Sequence, residues 1–128
     1  MAKKSKHFPF YKSLTFAFKG IVQTIKKERN LKIHLGAATL AILLGLGLKI
    51  SSFEWLVLVI TISIVISAEI MNSAIEAICN QLRFKLNLAY LETYWIRNFS
   101  AGAVLTLAIG AIIIGLIIFS PKITALFF

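Results

Sequence analysis

The stretch from Phe99 to Ser120 runs for 22 residues without a charged side chain. About 20 helical residues cross the roughly 30 Å hydrocarbon core of a bilayer, so this run by itself predicts a transmembrane span. Two further apolar runs precede it, Leu35 to Leu48 and Trp55 to Ala68, the second continuing apolar to Cys79. The first is short and must borrow Leu31 to Ile33, with Lys32 and Lys49 snorkelling to the interface. The second is long enough only if its helix carries Glu69 and Glu76 into the membrane. The expected spans are about 31–50, 54–79 and 97–120. With 59% hydrophobic and 15% charged residues, the 128-residue chain lacks the polar surface to cover a water-facing globule. A soluble monomer is excluded, and the single Cys79 excludes an intrachain disulfide framework. No cleaved secretory signal is expected, because the first long apolar run starts only near Leu35.

Upstream of the spans the pattern changes. Phe10, Leu14, Phe18, Ile21, Val22 and Ile25 recur at steps of three and four, with Lys12, Lys19, Gln23 and Lys26 between them. That is one face of an amphipathic helix over about 9–30, and its basic polar side suits an interface with anionic lipid. A helix capping a bundle is the plainer alternative. Nine of the 14 Lys and Arg residues lie within the first 32 positions, against five Glu and no Asp in the whole chain, for a net charge of +9. Such a charge suits nucleic acid or anionic lipid, and hydropathy decides for lipid with no nucleic-acid partner. Basic residues around the N-terminus and at Arg83, Lys85 and Arg97 in the second loop, taken as Asn80 to Asn98, place both on the cytoplasmic side. Lys3-Lys4-Ser5-Lys6 is expected as a solvated tail touching headgroups, and His7 and His34 as interfacial or structural residues.

The informative feature is Glu69-Ile70-Met71-Asn72-Ser73-Ala74-Ile75-Glu76, followed by Ala77-Ile78-Cys79-Asn80. At about 100° per residue, positions 69, 72, 73, 76 and 80 fall within an arc of roughly 100°. The residues between them are apolar, so the stripe cannot face hydrocarbon. Ionisable groups inside a span cost several kcal/mol and mark functional sites, although a hydrogen-bonded seam between helices would also account for the stripe. Carboxylates at i and i+7 with an amide at i+3 offer oxygen ligands and a base in one line. Mg²⁺ takes one or two carboxylates plus phosphate oxygens and water, and Glu28, just before the first span, offers a further ligand. Glu69, about 10 Å deeper along the helix than Glu76, is placed to meet a lipid hydroxyl. The carboxylates near the cytoplasmic surface suit a metal-bound nucleotide, yet the chain has no Gly-rich phosphate loop or Walker lysine, so no soluble-kinase signature is present.

The octapeptide Glu69–Glu76 resembles the signature of the small prokaryotic diacylglycerol kinases, a family that includes the undecaprenol kinases. Lys19-Gly20, Lys27-Glu28-Arg29-Asn30 before Ile33-His34, and Ser100-Ala101-Gly102-Ala103-Val104-Leu105 are similar to further family blocks in the same order. The resemblance covers nearly the whole chain. It implies an all-α integral membrane protein of the bacterial plasma membrane, a homotrimeric bundle of three spans and an amphipathic N-terminal interfacial helix per subunit, with the N-terminus cytoplasmic. It further implies Mg-ATP as phosphate donor and a lipid alcohol as acceptor. Carried over by position, Glu69 is the catalytic base, Glu28 and Glu76 hold the metal, and Asn72 lies near the phosphates. Arg97 stands in the place of a phosphate-contacting Lys. Asn80, Asn98 and Lys19 complete the nucleotide-binding set. Asn80 and Asn98 stand where the family usually has Asp, and Asn87-Leu88-Ala89-Tyr90-Leu91-Glu92 replaces the usual second-loop element. Two other readings remain open: an impaired paralogue acting in membrane assembly, and a small oligomeric transporter using Glu69 as a proton or cation site.

Overall fold

The computed structural model describes residues 9–127, so the Lys3-Lys4-Ser5-Lys6 run and His7 lie outside the described residues. Four helices follow one another: α1 (Phe10–Lys27), α2 (Arg29–Gly47), α3 (Ser52–Leu86) and α4 (Tyr90–Phe127), with no strand among the described residues. The last three are long and apolar enough to cross a membrane.

Each boundary has a local cause. Glu28 is the single extended residue between α1 and α2 (φ −92°, ψ 120°), its N–H still donating to the Thr24 carbonyl at 2.8 Å. Lys32 Nζ donates to the Lys26 carbonyl at 3.1 Å and satisfies the end of α1. α3 begins with a capping box: Ser51 N–H donates to Glu54 Oε2 at 2.6 Å and Glu54 N–H to Ser51 Oγ at 3.3 Å. It ends at Asn87, which adopts the left-handed conformation (φ 53°) that Asn tolerates better than most residues.

The second loop is far shorter than Asn80 to Asn98. α3 continues through Leu86 and α4 starts at Tyr90, leaving residues 87–89 as the connection. Hydropathy registers bilayer thickness rather than helix length. At 35 residues, α3 is about 52 Å long by its rise per residue and must project beyond a core of about 30 Å.

α3 packs chiefly on α4, and α2 on α3. At the end remote from the α3–α4 turn, Ile50, Leu58, Ile118 and Phe119 form the apolar core with Trp55, Ala41 and Ile114 around it. Lys122 Nζ pairs with Glu54 Oε2 at 3.1 Å there. Elsewhere large apolar side chains point outward, including Leu43, Leu46, Leu105, Ile112 and Ile117, as expected of surfaces solvated by lipid. No residue of α1 is buried, and Phe10, Leu14 and Phe18 are exposed on it.

Gly45 tightens the α2–α3 turn. A Cβ there would stand 3.0 Å from both Ile50 Cδ1 and Trp55 Cη2, whereas a Cβ at Gly110 would meet nothing within 4 Å. Gly45→Val is expected to destabilise the protein by about 1–3 kcal/mol through overpacking, and Gly110→Val far less. Thermal unfolding of both variants in detergent checks this.

Candidate functional site

The stripe on α3 faces α4 and the start of α2. Glu69 is 2% exposed and Asn72 5%, while Glu76 is half-buried and Asn80 exposed nearer the helix end. Buried polar side chains need partners, and α4 and α2 supply them. Ser100 Oγ donates to Asn72 Oδ1. With its oxygen engaged by a hydroxyl, Asn72 turns its Nδ2 to Glu76 Oε1 at 3.3 Å. One turn on, Arg97 donates from Nη2 to Asn80 Oδ1 at 2.8 Å and from Nε to Thr93 Oγ1 at 3.3 Å. Thr93 is itself buried. The result is a polar seam along the α3–α4 contact, Asn72–Ser100 at its deeper end and Asn80–Arg97–Thr93 nearer the turn.

Glu69 is served from the other side. The Asn30 amide faces its carboxylate, and His34, Glu28 and Glu76 lie within electrostatic reach. Asn30, His34, Glu69 and Asn72 line one side of a mixed cleft of about 210 Å³ whose other walls are Ala101, Val104, Leu105 and Ala108. A second, apolar groove of about 330 Å³ runs away from it between α2, α3 and α4, walled by small residues such as Ala37, Ala41, Ala111 and Gly115. His34 and Ala108 border both spaces. The carboxylate of Glu69 thus lies in a cleft that meets the apolar groove at His34 and Ala108.

Glu28 caps α2 with its backbone only, since its side chain makes no capping bond, and its carboxylate is left for another partner. No group of three or more His, Cys, Asp or Glu side chains capable of holding a metal occurs among the described residues. The donor chemistry therefore fits no all-protein cage. Glu28 and Glu76 each lie within electrostatic reach of Glu69.

Glu69, Asn72, Glu76, Asn80 and Arg97 are brought into one line, with Glu28 within electrostatic reach of Glu69. Lys19, on α1, and Asn98, on α4, are exposed and are not joined to the seam. Sequence reasoning missed Asn30, Thr93, Ser100 and the place of His34 beside Glu69. Asn30 and His34 stand one helical turn apart on α2, a spacing that puts both on one face. Cys79 is buried, as a structural thiol would be.

Fold and seam define a class: a small all-helical membrane protein with carboxylates and amides buried between its spans. A family model described as prokaryotic diacylglycerol kinase matches residues 15–119, and the chain belongs to that family. An undecaprenol kinase of Bacillus subtilis is 34% identical over 113 residues, covering 88% of this chain and 89% of that protein. A diacylglycerol kinase of Synechocystis is 28% identical over 115 residues, covering 89% of this chain and 64% of that protein. No solved structure matches. Kinship and helices together make the chain a multi-pass membrane protein of lipid kinase type.

The Asn80–Arg97 bond ties the two helices at their exposed end. Its coupling energy is expected at about 0.5–1 kcal/mol, modest because the pair is solvent-accessible. A double-mutant cycle with Asn80→Ala and Arg97→Ala, read by thermal unfolding, checks it.

Proposed function

We propose that the protein transfers the γ-phosphoryl group of ATP to the hydroxyl of a membrane lipid alcohol of the diacylglycerol or undecaprenol type. The observation that carries this reading is the position of Glu69, buried in a cleft that shares His34 and Ala108 with the apolar groove. A lipid tail in that groove would deliver its hydroxyl to the carboxylate without leaving the apolar phase. The 34% identity to an undecaprenol kinase, spread over 88% of the chain, favours a polyprenol as the acceptor.

In this reading Glu69 accepts the hydroxyl proton while the lipid oxygen attacks the γ-phosphorus, and the bond to the departing ADP oxygen breaks in line. Asn72, held by Ser100 and facing Glu76, orients a phosphoryl oxygen with its amide. Arg97 stabilises the charge that develops on the phosphoryl group. Glu28 and Glu76 hold the cation, and the chemistry a bound Mg²⁺ supplies is neutralisation of β- and γ-phosphate charge. Asn80, Asn98 and, from α1, Lys19 contact the rest of the nucleotide. α1 lies in the cytoplasmic interface, its exposed aromatic face in lipid. Glu76 and Asn80 are only partly covered within one chain, which supports a homotrimer in which a neighbouring subunit closes the cleft.

Transfer of labelled phosphate from ATP to a panel of lipid alcohols tests the proposal on purified protein. Glu69→Gln is expected to keep the fold and lose activity by about 10²–10⁴-fold, the usual worth of a positioned base. Glu76→Ala should raise the Mg²⁺ concentration needed for half-maximal rate. Absence of any labelled phospholipid with the unaltered protein would overturn the reading.

A further inference from the structure

The α3 stripe extends one heptad beyond the carboxylates. Arg83 follows Glu76 as Glu76 follows Glu69, by seven residues, so the three share one helix face within roughly 40°, each about 10 Å further along. Arg83 lies in the last turn of α3. Its guanidinium carbon is 5.1 Å from the centroid of the Tyr90 ring, and that of Arg97 is 5.3 Å from the same centroid. The two cations are therefore no farther apart than the sum of those distances.

Among the described residues no carboxylate pairs with either cation. Arg97 donates to an amide and a hydroxyl, Asn80 and Thr93, and Arg83 has a buried Nε without a hydrogen-bond partner. Among the described residues neither forms an ion pair, the Lys122–Glu54 pair being at the other end of α4. A carboxylate at position 80 would neutralise Arg97, and the amide there leaves its charge available. Ring faces attract cations, and an anion set between two guanidiniums around one ring would be attracted by both. Arginine forks match phosphate oxygens in pairs.

We infer that Arg83 and Arg97, set around Tyr90, form a two-arginine phosphate site at the outer end of the seam, with Arg83 as a binding residue for a phosphate anion. This rests on the kinase reading for one source of that anion, the nucleotide's polyphosphate. The headgroup of an anionic lipid offers the same chemistry. In either case Arg83 is a substrate- or lipid-contacting cation whose removal weakens binding while Glu69 and the metal carboxylates stay intact.

The test is equilibrium binding of inorganic tripolyphosphate, and separately of ATP, to full-length protein in phosphatidylcholine nanodiscs, compared with Arg83→Gln and Arg83→Lys. The loss of one charged contact predicts about tenfold weaker polyphosphate binding for Arg83→Gln, partly restored in Arg83→Lys, with unchanged thermal unfolding. In phosphoryl-transfer assays the loss falls on KM for ATP and leaves KM for the lipid alcohol unmoved. If polyphosphate binding is unaffected but Arg83→Gln weakens association with phosphatidylglycerol-containing vesicles about tenfold, the anion is a lipid headgroup. Equal binding of both probes by wild type and Arg83→Gln overturns the site. Polyphosphate binding that depends on Arg83 in a protein transferring no phosphate to lipid leaves the site standing and removes the kinase reading.

Discussion

A carboxylate that must stay out of hydrocarbon while its helix crosses the membrane governs this structure. Glu69 lies between apolar neighbours on a helix whose remaining faces are turned to lipid or to other helices. An ionisable group at membrane depth costs several kcal/mol when left without partners, and unpaired burial of polar groups is no cheaper. Both costs fall away only if other helices present polar groups along the same line. α4 does so with Ser100, Thr93 and Arg97, and the start of α2 with Asn30 and His34. The tight α3–α4 packing follows from that demand as well as from apolar contact.

The same constraint links architecture to chemistry. Stable burial of a structural seam would be served by amides and hydroxyls alone, and two carboxylates one heptad apart add repulsion to it. Glu69 lines a cleft that shares His34 and Ala108 with an apolar groove, a setting that packing alone does not require of a carboxylate. The extended break at Glu28 adds to this. The residue ends one helix and starts the next without spending its side chain on capping.

Much of this was legible before any coordinates. Apolar runs marked the three spans, the last of them at full bilayer length, and the 69–72–76–80 spacing marked the polar line, because run length and helical periodicity are both visible in sequence. The helix ends escaped, since Gln81 to Leu86 and Tyr90 to Ile96 are amphipathic residues that continue a helix beyond the bilayer without any hydropathy signal. Ser100 escaped for another reason. Hydroxyls in these helices usually bond their own backbone, as Thr61, Ser63 and Thr106 do, and nothing in sequence distinguishes the one that reaches across to Asn72. The family resemblance carried Lys19 and Asn98, which no contact in the fold joins to the seam.

The proposed activity requires the seam to be open to a nucleotide. Photo-crosslinking with an ATP analogue reactive at its γ-phosphate, followed by mass-spectrometric mapping of the membrane-embedded protein, tests it most directly. Adducts on α3 around Asn72 to Asn80 and on the first turns of α4 near Arg97 to Ser100, competed away by ATP, are the predicted result. Adducts confined to α1, or to surface positions remote from the seam, would contradict it.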